Sequence, residues 1–222
     1  MRKLIGAVFI SLDGVMQAPG GPQEDPSGGF KFGGWTFPFF DESAQAPMNK
    51  FLIEPDYDLL LGRRTYDIFS SYWPYNQDNE IGAKFQRINK YVLTHQDGPL
   101  DWDNSHKLSG NTVDAVAKLK ESDGRDLLIQ GSSTLYSPLI SARLIDRLIL
   151  IRFPIVLGRG KQIFDGTEKA GRMKLVDNVV TDTGTTFSTF EPAGEVPTGT
   201  FETKPPSEAE LERREKWAKE EV

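Results

Sequence analysis

The residues with the clearest chemical meaning lie in a turn in the second half of the chain. Residues 126–141 read DLLIQGSSTLYSPLIS, a pattern that predicts a buried strand, a tight turn and an amphipathic helix. The turn holds a glycine and three hydroxyl side chains: Gly131, Ser132, Ser133 and Thr134. Such a turn directs the first backbone N–H groups of a helix towards one point, where they and the helix dipole favour an anion such as a phosphate. An ordinary N-capped helix after a strand explains the same residues equally well.

The same strand–glycine–helix plan occurs upstream, over residues 59–69, LLLGRRTYDIF. Gly62 lets the backbone turn at the end of the strand and is followed directly by Arg63 and Arg64. A guanidinium group donates two parallel hydrogen bonds to a phosphate, which here favours NADP, with its 2′-phosphate, over NAD. The alternative is a solvated pair of surface arginines. Two such turns in one α/β domain predict a phosphorylated nucleotide held across the ends of a sheet.

A third segment, residues 153–165, reads FPIVLGRGKQIFD and follows another apolar stretch. Gly158 and Gly160 flank a single arginine, which is unfavourable inside a helix or strand and typical of a loop that faces a ligand. A simple hairpin turn explains this segment nearly as well.

Composition limits the classes of function that the chain can serve. A length of 222 residues suits one large domain, and no apolar run approaches the roughly 20 residues that span a bilayer. The net charge of −6 argues against nucleic acid as a partner, and two histidines with no cysteine argue against a metal site or a disulfide framework. We interpret the N-terminal MRKLIGAVFIS as a first buried strand and not as a signal peptide, so a cytoplasmic location follows as the default.

The apolar patterns alternate between strands and helices and predict an α/β fold with a mostly parallel sheet. Strands are expected at 4–12, 57–61, 90–94, 127–130 and 145–154, helices at 41–53, 65–69, 111–121 and 134–141, and a final antiparallel pair at 174–178 and 185–190. Residues 17–35 hold six glycines and three prolines, which is typical of a lid, a binding loop or disorder.

The chain divides near residue 190 into a domain, 1–190, and a tail, 191–222. The tail begins with a linker composition and ends in a charged helix that carries a capping box at Ser207 and Glu210. A helix this polar is either a solvated tail or an arm that docks Trp217 on a neighbouring subunit.

Five segments in this order resemble the dihydrofolate reductase-like superfamily, and most closely its riboflavin-biosynthesis reductase branch, the reductase domain of the bifunctional deaminase–reductase. They are AVFISLDGV (7–15), LLLGRRTYD (59–67), YVLTH (91–95), LLIQGSSTLYSPLI (127–140) and FPIVLGRGKQIF (153–164). The resemblance covers about residues 2–190. Since the chain has no cysteine, the zinc-deaminase motif of the bifunctional enzyme is absent.

The resemblance implies a mixed, mostly parallel sheet flanked by helices, an NADPH cofactor and a homodimer. It implies that Gly62, Arg63, Arg64 and Thr65 hold the 2′-phosphate. It implies further that Thr94 and His95 lie beside the adenosine, and that Gly131, Ser132, Ser133 and Thr134 receive the pyrophosphate. The activity it implies is hydride transfer to a C=N or C=O carbon of a pterin-like or ribosylated pyrimidine substrate.

The sequence departs from the superfamily at several of these positions. Ser132 and Ser133 replace glycines of the usual pyrophosphate turn, and the insertion at 17–40 blurs the position of the acidic residue expected on the first helix. Asp41 is a candidate for that catalytic acid and equally a helix N-cap. Asp13 is a second candidate, or simply holds the turn after the first strand.

Substrate contacts are expected from an aromatic cluster and from the third glycine segment. The expected residues are Trp35 and Phe39, with their neighbours Phe37 and Phe40, and Leu157 and Gly158. The aromatic rings either stack on a planar heterocycle or pack the loop against the sheet. The sequence therefore predicts an NADPH-dependent reductase acting on a small molecule. The alternatives are a non-catalytic nucleotide-binding or redox-sensing protein with the same cleft, and an interaction module that uses the C-terminal helix.

Overall fold

The computed structural model describes residues 1–220 and contains one eight-stranded sheet with the order β4-β3-β2-β5-β1-β6-β8-β7. The strands are β1 (Leu4–Ile10), β2 (Tyr57–Gly62), β3 (Lys90–Leu93), β4 (Ser105–Leu108), β5 (Asp126–Gln130), β6 (Arg147–Arg152), β7 (Met173–Val180) and β8 (Thr186–Pro192). The helices are α1 (Gln45–Leu52), α2 (Arg63–Ser70), α3 (Glu80–Arg87), α4 (Thr112–Glu121), α5 (Ser133–Ser141) and α6 (Glu208–Ala218).

Strands β1 to β6 are all parallel, and β7 and β8 extend the sheet as an antiparallel pair. The carboxyl ends of β3, β2, β5, β1 and β6 therefore meet at one edge of the sheet, which is where ligands bind in open α/β sheets. The predicted mixed, mostly parallel α/β fold is confirmed.

The central strands are apolar along their whole length because both faces of the sheet are covered. Leu59 and Leu61 of β2 face one core with Phe153, whereas Leu60 faces a second core with Val116 of α4 and Leu139 of α5. This double burial explains the continuous apolar runs of the sequence.

Helix α5 approaches the sheet unusually closely at Gly6 of β1. A Cβ atom at Gly6 would lie 2.8 Å from Cε1 of Tyr136, and the Tyr136 hydroxyl lies 3.0 Å from the Ile129 carbonyl oxygen that accepts its hydrogen bond. This packing fixes the start of α5 directly beyond the end of β5.

Several element boundaries differ from the prediction. Helix α1 begins at Gln45, after a short 3-10 turn over Glu42–Ala44, and α2 begins already at Arg63. The sequence patterns did not indicate α3 or β4 at all.

The C-terminal helix α6 is present and Ser207 caps it, since the Ser207 hydroxyl accepts a hydrogen bond from the Glu210 N–H at 3.3 Å. No residue of α6 is buried, and the Arg213 guanidinium lies 4.3 Å from the centre of the Trp217 ring. Residues 221–222 of the predicted tail lie outside the described residues.

Candidate functional site

A cleft of about 510 Å³ opens at the carboxyl ends of the parallel strands. One wall combines the β2–α2 turn and the β5–α5 turn, and the opposite wall is the loop that follows β1. Other lining residues include apolar and aromatic side chains, the Gln130 amide at the end of β5 and one lysine of the segment after β6: Phe9, Phe37, Phe40, Ile68, Phe69, Trp73, Gln130 and Lys161. The cleft thus has a polar end rich in N–H and hydroxyl groups and an aromatic end.

Ser132 joins the two glycine turns to each other. Its hydroxyl oxygen accepts a hydrogen bond from the Gly62 N–H at 2.7 Å and lies 2.7 Å from the Thr65 hydroxyl oxygen. Ser132 has a left-handed backbone conformation, φ +67°, and makes no side-chain cap on α5. The Ser132 hydroxyl, which the sequence predicts to bind a phosphate, is therefore already hydrogen-bonded within the protein. Ser133 and Thr134 remain as the side-chain donors of the turn.

Arg63 and Arg64 lie in different surroundings, although the sequence predicts that both bind the same phosphate. Arg63 donates to Asp67 at 2.8 Å and to the Gly98 carbonyl oxygen at 3.4 Å, so it lies beside the loop after β3. Arg64 donates to Asp25 at 2.8 Å, in the loop after β1.

Thr94 and His95 begin the loop that brings Gly98 to Arg63. Thr94 is buried and its hydroxyl oxygen accepts a hydrogen bond from the Gln96 N–H at 3.0 Å, whereas His95 is exposed. Both residues lie at the same sheet edge as the glycine turns but outside the lining of the cleft.

Asp25 links three segments around the cleft and was not singled out in the sequence. Its carboxylate accepts hydrogen bonds from the Ser27 hydroxyl at 2.6 Å, from Arg64, and from the Lys161 ammonium group. Burial alone would raise the pKa of Asp25, but the hydrogen bonds from Lys161 and Ser27 outweigh it and lower the pKa to about 2. The carboxylate is therefore ionised across the working range of most proteins.

The glycine-rich segment 17–35 is an ordered wall of the cleft. The Gln17 amide donates to the carbonyl oxygens of Asp25 and Ser27, both at 2.9 Å, and the Trp35 indole N–H donates to the Gln17 carbonyl oxygen at 2.8 Å. Buried hydrogen bonds hold this loop in position. The loop has no apolar periodicity, which is the feature that sequence patterns detect.

The aromatic cluster divides between the core and the cleft. The ring centres of Trp35 and Phe39 lie 5.4 and 6.0 Å from that of Phe153, and neither residue lines the cleft. Phe37, with 81% of its side chain exposed, and Phe40 do line it. The packing interpretation thus holds for Trp35 and Phe39. Phe40 both borders the cleft and packs against Phe153, with ring centres 5.8 Å apart, and Phe37 is the more exposed ring at the cleft.

Asp13 holds the loop after β6. Its carboxylate accepts hydrogen bonds from the Ser11 hydroxyl at 2.6 Å and from the N–H groups of Leu157 and Gly158 at 3.1 and 2.7 Å. The hydrogen bond from Ser11 is the main reason that the pKa of Asp13 is lowered. Leu157 is buried, Gly158 is exposed with φ +79°, and none of the three lines the cleft.

Asp41 caps the 3-10 turn that precedes α1. Its carboxylate accepts hydrogen bonds from the Ala44 N–H and the Thr183 N–H, both at 3.1 Å. The N-cap interpretation is confirmed, and Asp41 lies outside the lining of the cleft. Catalytic roles for Asp13 and Asp41 stay predictions.

The polar end of the cleft fits the phosphates and amide of a nicotinamide dinucleotide. Gly131 has φ +93°, which disfavours any other residue, and a Cβ atom there would be in tight contact with Thr65 Cγ2 at 3.0 Å. The Leu135 N–H donates to the Ser132 carbonyl oxygen at 2.9 Å, so the N–H groups of Ser133 and Thr134 are the ones at the start of α5 that the helix itself does not use. The Gln130 amide oxygen, which also borders the cleft, is buried and has no hydrogen-bond partner within residues 1–220, as expected of an acceptor that serves a ligand.

Neither a metal centre nor a membrane-spanning helix is found within residues 1–220. No group of three or more histidine, aspartate and glutamate side chains in this part of the chain is arranged to hold a metal ion. None of its helices combines the length and the apolar character needed to cross a membrane.

The fold is that of dihydrofolate reductase-like proteins. A structure of dihydrofolate reductase from Enterococcus faecalis in complex with NADP(H) matches with a TM-score of 0.55 at 15% identity, over 86% of this chain and 96% of that one. A putative riboflavin biosynthesis protein from Shewanella sp. PV-4 matches with a TM-score of 0.55 at 21% identity, over 86% and 99%. At these identities the matches show the fold.

Within that class the sequence identifies the family. The family described as the RibD C-terminal domain matches residues 2–187, and the chain belongs to it. The chain is also 26% identical over 184 residues to the uncharacterized protein YyaP of Bacillus subtilis (strain 168), which covers 79% of this chain and 87% of that protein.

Proposed function

We propose that the protein is an NADPH-dependent reductase that transfers a hydride to a small planar heterocycle of the ribosylated pyrimidine type. The observation that carries this proposal is the pair of glycine turns that Ser132 joins by hydrogen bonds, bordered by Arg63 and by an open cleft. Family membership supports the reductase class.

The sheet order supports an extended orientation of the proposed cofactor along the strand ends. Strands β3, β2, β5 and β1 are consecutive neighbours, so their carboxyl ends form a row. Along this row Arg63 would hold the 2′-phosphate of a dinucleotide, Ser133 and Thr134 would bind its pyrophosphate, and the cleft beside β1 would take its nicotinamide. When bound, NADPH supplies the hydride.

The aromatic end of the cleft suits a flat substrate. Phe37, Phe40 and Trp73 present apolar rings there, and aromatic rings stack favourably on planar heterocycles. The protein's contribution to the reaction is to orient the two reactants and to exclude water from between them.

The different surroundings of the two arginines make the cofactor assignment testable. We expect Arg63→Ala to raise the Kd for NADPH by about 10- to 100-fold, the effect of losing a charge-assisted hydrogen bond, and to leave the Kd for NADH nearly unchanged. Arg64→Ala is expected to change the NADPH-to-NADH preference less, because Arg64 is directed towards Asp25. Nicotinamide fluorescence titrations of both variants give these constants.

The matched control for these titrations is Arg143→Ala. It removes an exposed arginine that pairs with Glu195 away from the cleft. If Arg63→Ala weakens NADPH and NADH equally, the 2′-phosphate is not held by Arg63.

A further inference from the structure

Glu24 occupies the wall of the cleft formed by the loop after β1. One of its carboxyl oxygens accepts hydrogen bonds from the Gly20 N–H at 2.5 Å and the Gly21 N–H at 3.1 Å. These two bonds fix the side chain against the loop while the residue borders the cleft. Glu24 borders the same cleft as the aromatic rings of Phe37 and Phe40, to which the proposed function assigns the substrate.

Glu24 differs from the other ionisable residues that line the cleft. Arg63 and Arg64 pair with carboxylates, and Lys161 pairs with Asp25. Glu24 has no cationic partner within residues 1–220, and the charged group beside it is the Asp25 carboxylate.

This environment favours the protonated form of Glu24. Burial raises the pKa of its carboxyl group, the N–H groups of Gly20 and Gly21 oppose that effect, and the Asp25 charge adds to it. A general acid works best when its pKa approaches the operating pH, so the shift has the direction that proton donation requires.

We propose that Glu24 is the proton donor of the reaction, an inference that rests on the proposed reductase function. As the C=N or C=O carbon of the substrate accepts the hydride, the π electron pair moves onto the nitrogen or oxygen. The Glu24 O–H bond then breaks and an N–H or O–H bond forms on the substrate. Water reprotonates the Glu24 carboxylate afterwards.

The test compares wild-type protein with Glu24→Gln. Glutamine keeps an amide oxygen that can accept from Gly20 and Gly21, so the loop stays in place, but it has no acidic proton. Glu54→Gln is the control, because it makes the same chemical change at an exposed residue outside the cleft. NADPH binding, by fluorescence, is expected to stay within about twofold of wild type in both variants, since the proposed role of Glu24 is towards the substrate.

The activity readout is oxidation of NADPH with 5-amino-6-(5-phosphoribosylamino)uracil as the substrate probe. We expect Glu24→Gln to lower kcat by about 100-fold or more, and wild-type kcat to fall with rising pH through a step that the variant lacks. If Glu24→Gln has the wild-type kcat and pH profile, the proposed role of Glu24 is wrong while the proposed reductase function stands. Failure of the wild-type protein to bind NADPH overturns the proposed function and the role of Glu24 together.

A second readout does not depend on turnover. In protein labelled with ¹³C at the glutamate carboxyl carbons, the Glu24 signal is the one that Glu24→Gln removes. We expect it to titrate above the ordinary glutamate value of about 4.3. A midpoint at or below that value overturns the proposal, even when the pyrimidine probe is not turned over.

Discussion

Ser132 shows how a single residue can determine the geometry of a binding site. A left-handed backbone costs a residue with a Cβ atom about 1–2 kcal/mol, and here that conformation turns the hydroxyl towards Gly62 and Thr65. The sequence correctly predicted a tight turn between β5 and α5 at this position. It could not show that the Ser132 hydroxyl makes hydrogen bonds to the other glycine turn, because these bonds depend on β2 and β5 being neighbours in the sheet.

Two substitutions of Ser132 separate its hydrogen bonds from its backbone strain. Ser132→Ala loses both hydrogen bonds and keeps the strain, so we expect it to lower the free energy of unfolding by about 1–3 kcal/mol. Ser132→Gly loses the same bonds but relieves the strain, and we expect it to be about 0.5–1 kcal/mol more stable than the alanine variant. Urea unfolding measures both values, and an alanine variant as stable as wild type would show that the bridge contributes nothing.

At the scale of elements, apolar patterns found the buried strands and missed the parts that depend on their neighbours. Strand β4 reads SHKL, which has no apolar face, and it exists because it pairs with the edge of β3. Helix α3 contains Gly82, which weakens a helix pattern, yet a Cβ atom there would lie 2.1 Å from the Asn76 carbonyl oxygen. Glycine is present at this position because of tertiary packing, which a local pattern does not record.

The loop 17–35 is the other element whose order the sequence did not reveal, and Asp25 is its main anchor. The pKa of Asp25 is about 2 in the folded protein and 3.8 ordinarily, so its stabilising contribution is present above about pH 4 and is lost as the pH falls towards 2. A shift of this size corresponds to about 2 kcal/mol.

We therefore expect Asp25→Asn to be less stable than wild type at pH 7 by about 2 kcal/mol, and this difference to shrink between pH 4 and pH 2. Urea unfolding across this pH range measures both quantities. Asp78→Asn, at an exposed aspartate, is the control. Parallel stability curves for wild type and Asp25→Asn would contradict the anchoring role.

At the scale of the whole molecule, the sheet order brings together residues that are far apart in the sequence. Gly62 and Ser132 are 70 residues apart, and Asp25 and Lys161 are 136 apart, yet each pair is in contact. The sequence motifs predicted the fold and the positions of the two glycine turns, and both of these are confirmed. The motifs did not mark Asp25 or Glu24, and they included Lys161 only as part of the third glycine segment, since the common position of these residues at the cleft arises only when the loop after β1 folds back over the strand ends.

The measurement that tests the central claim most directly is a calorimetric titration of the wild-type protein with NADPH and, separately, with NADH. If the locked glycine turns and Arg63 form a dinucleotide site, NADPH binds with a micromolar Kd and at least about tenfold more tightly than NADH, the effect of about 1.4 kcal/mol from the 2′-phosphate contact. Equal affinity for the two would contradict the assignment of Arg63, and no binding of either would contradict the cofactor site itself.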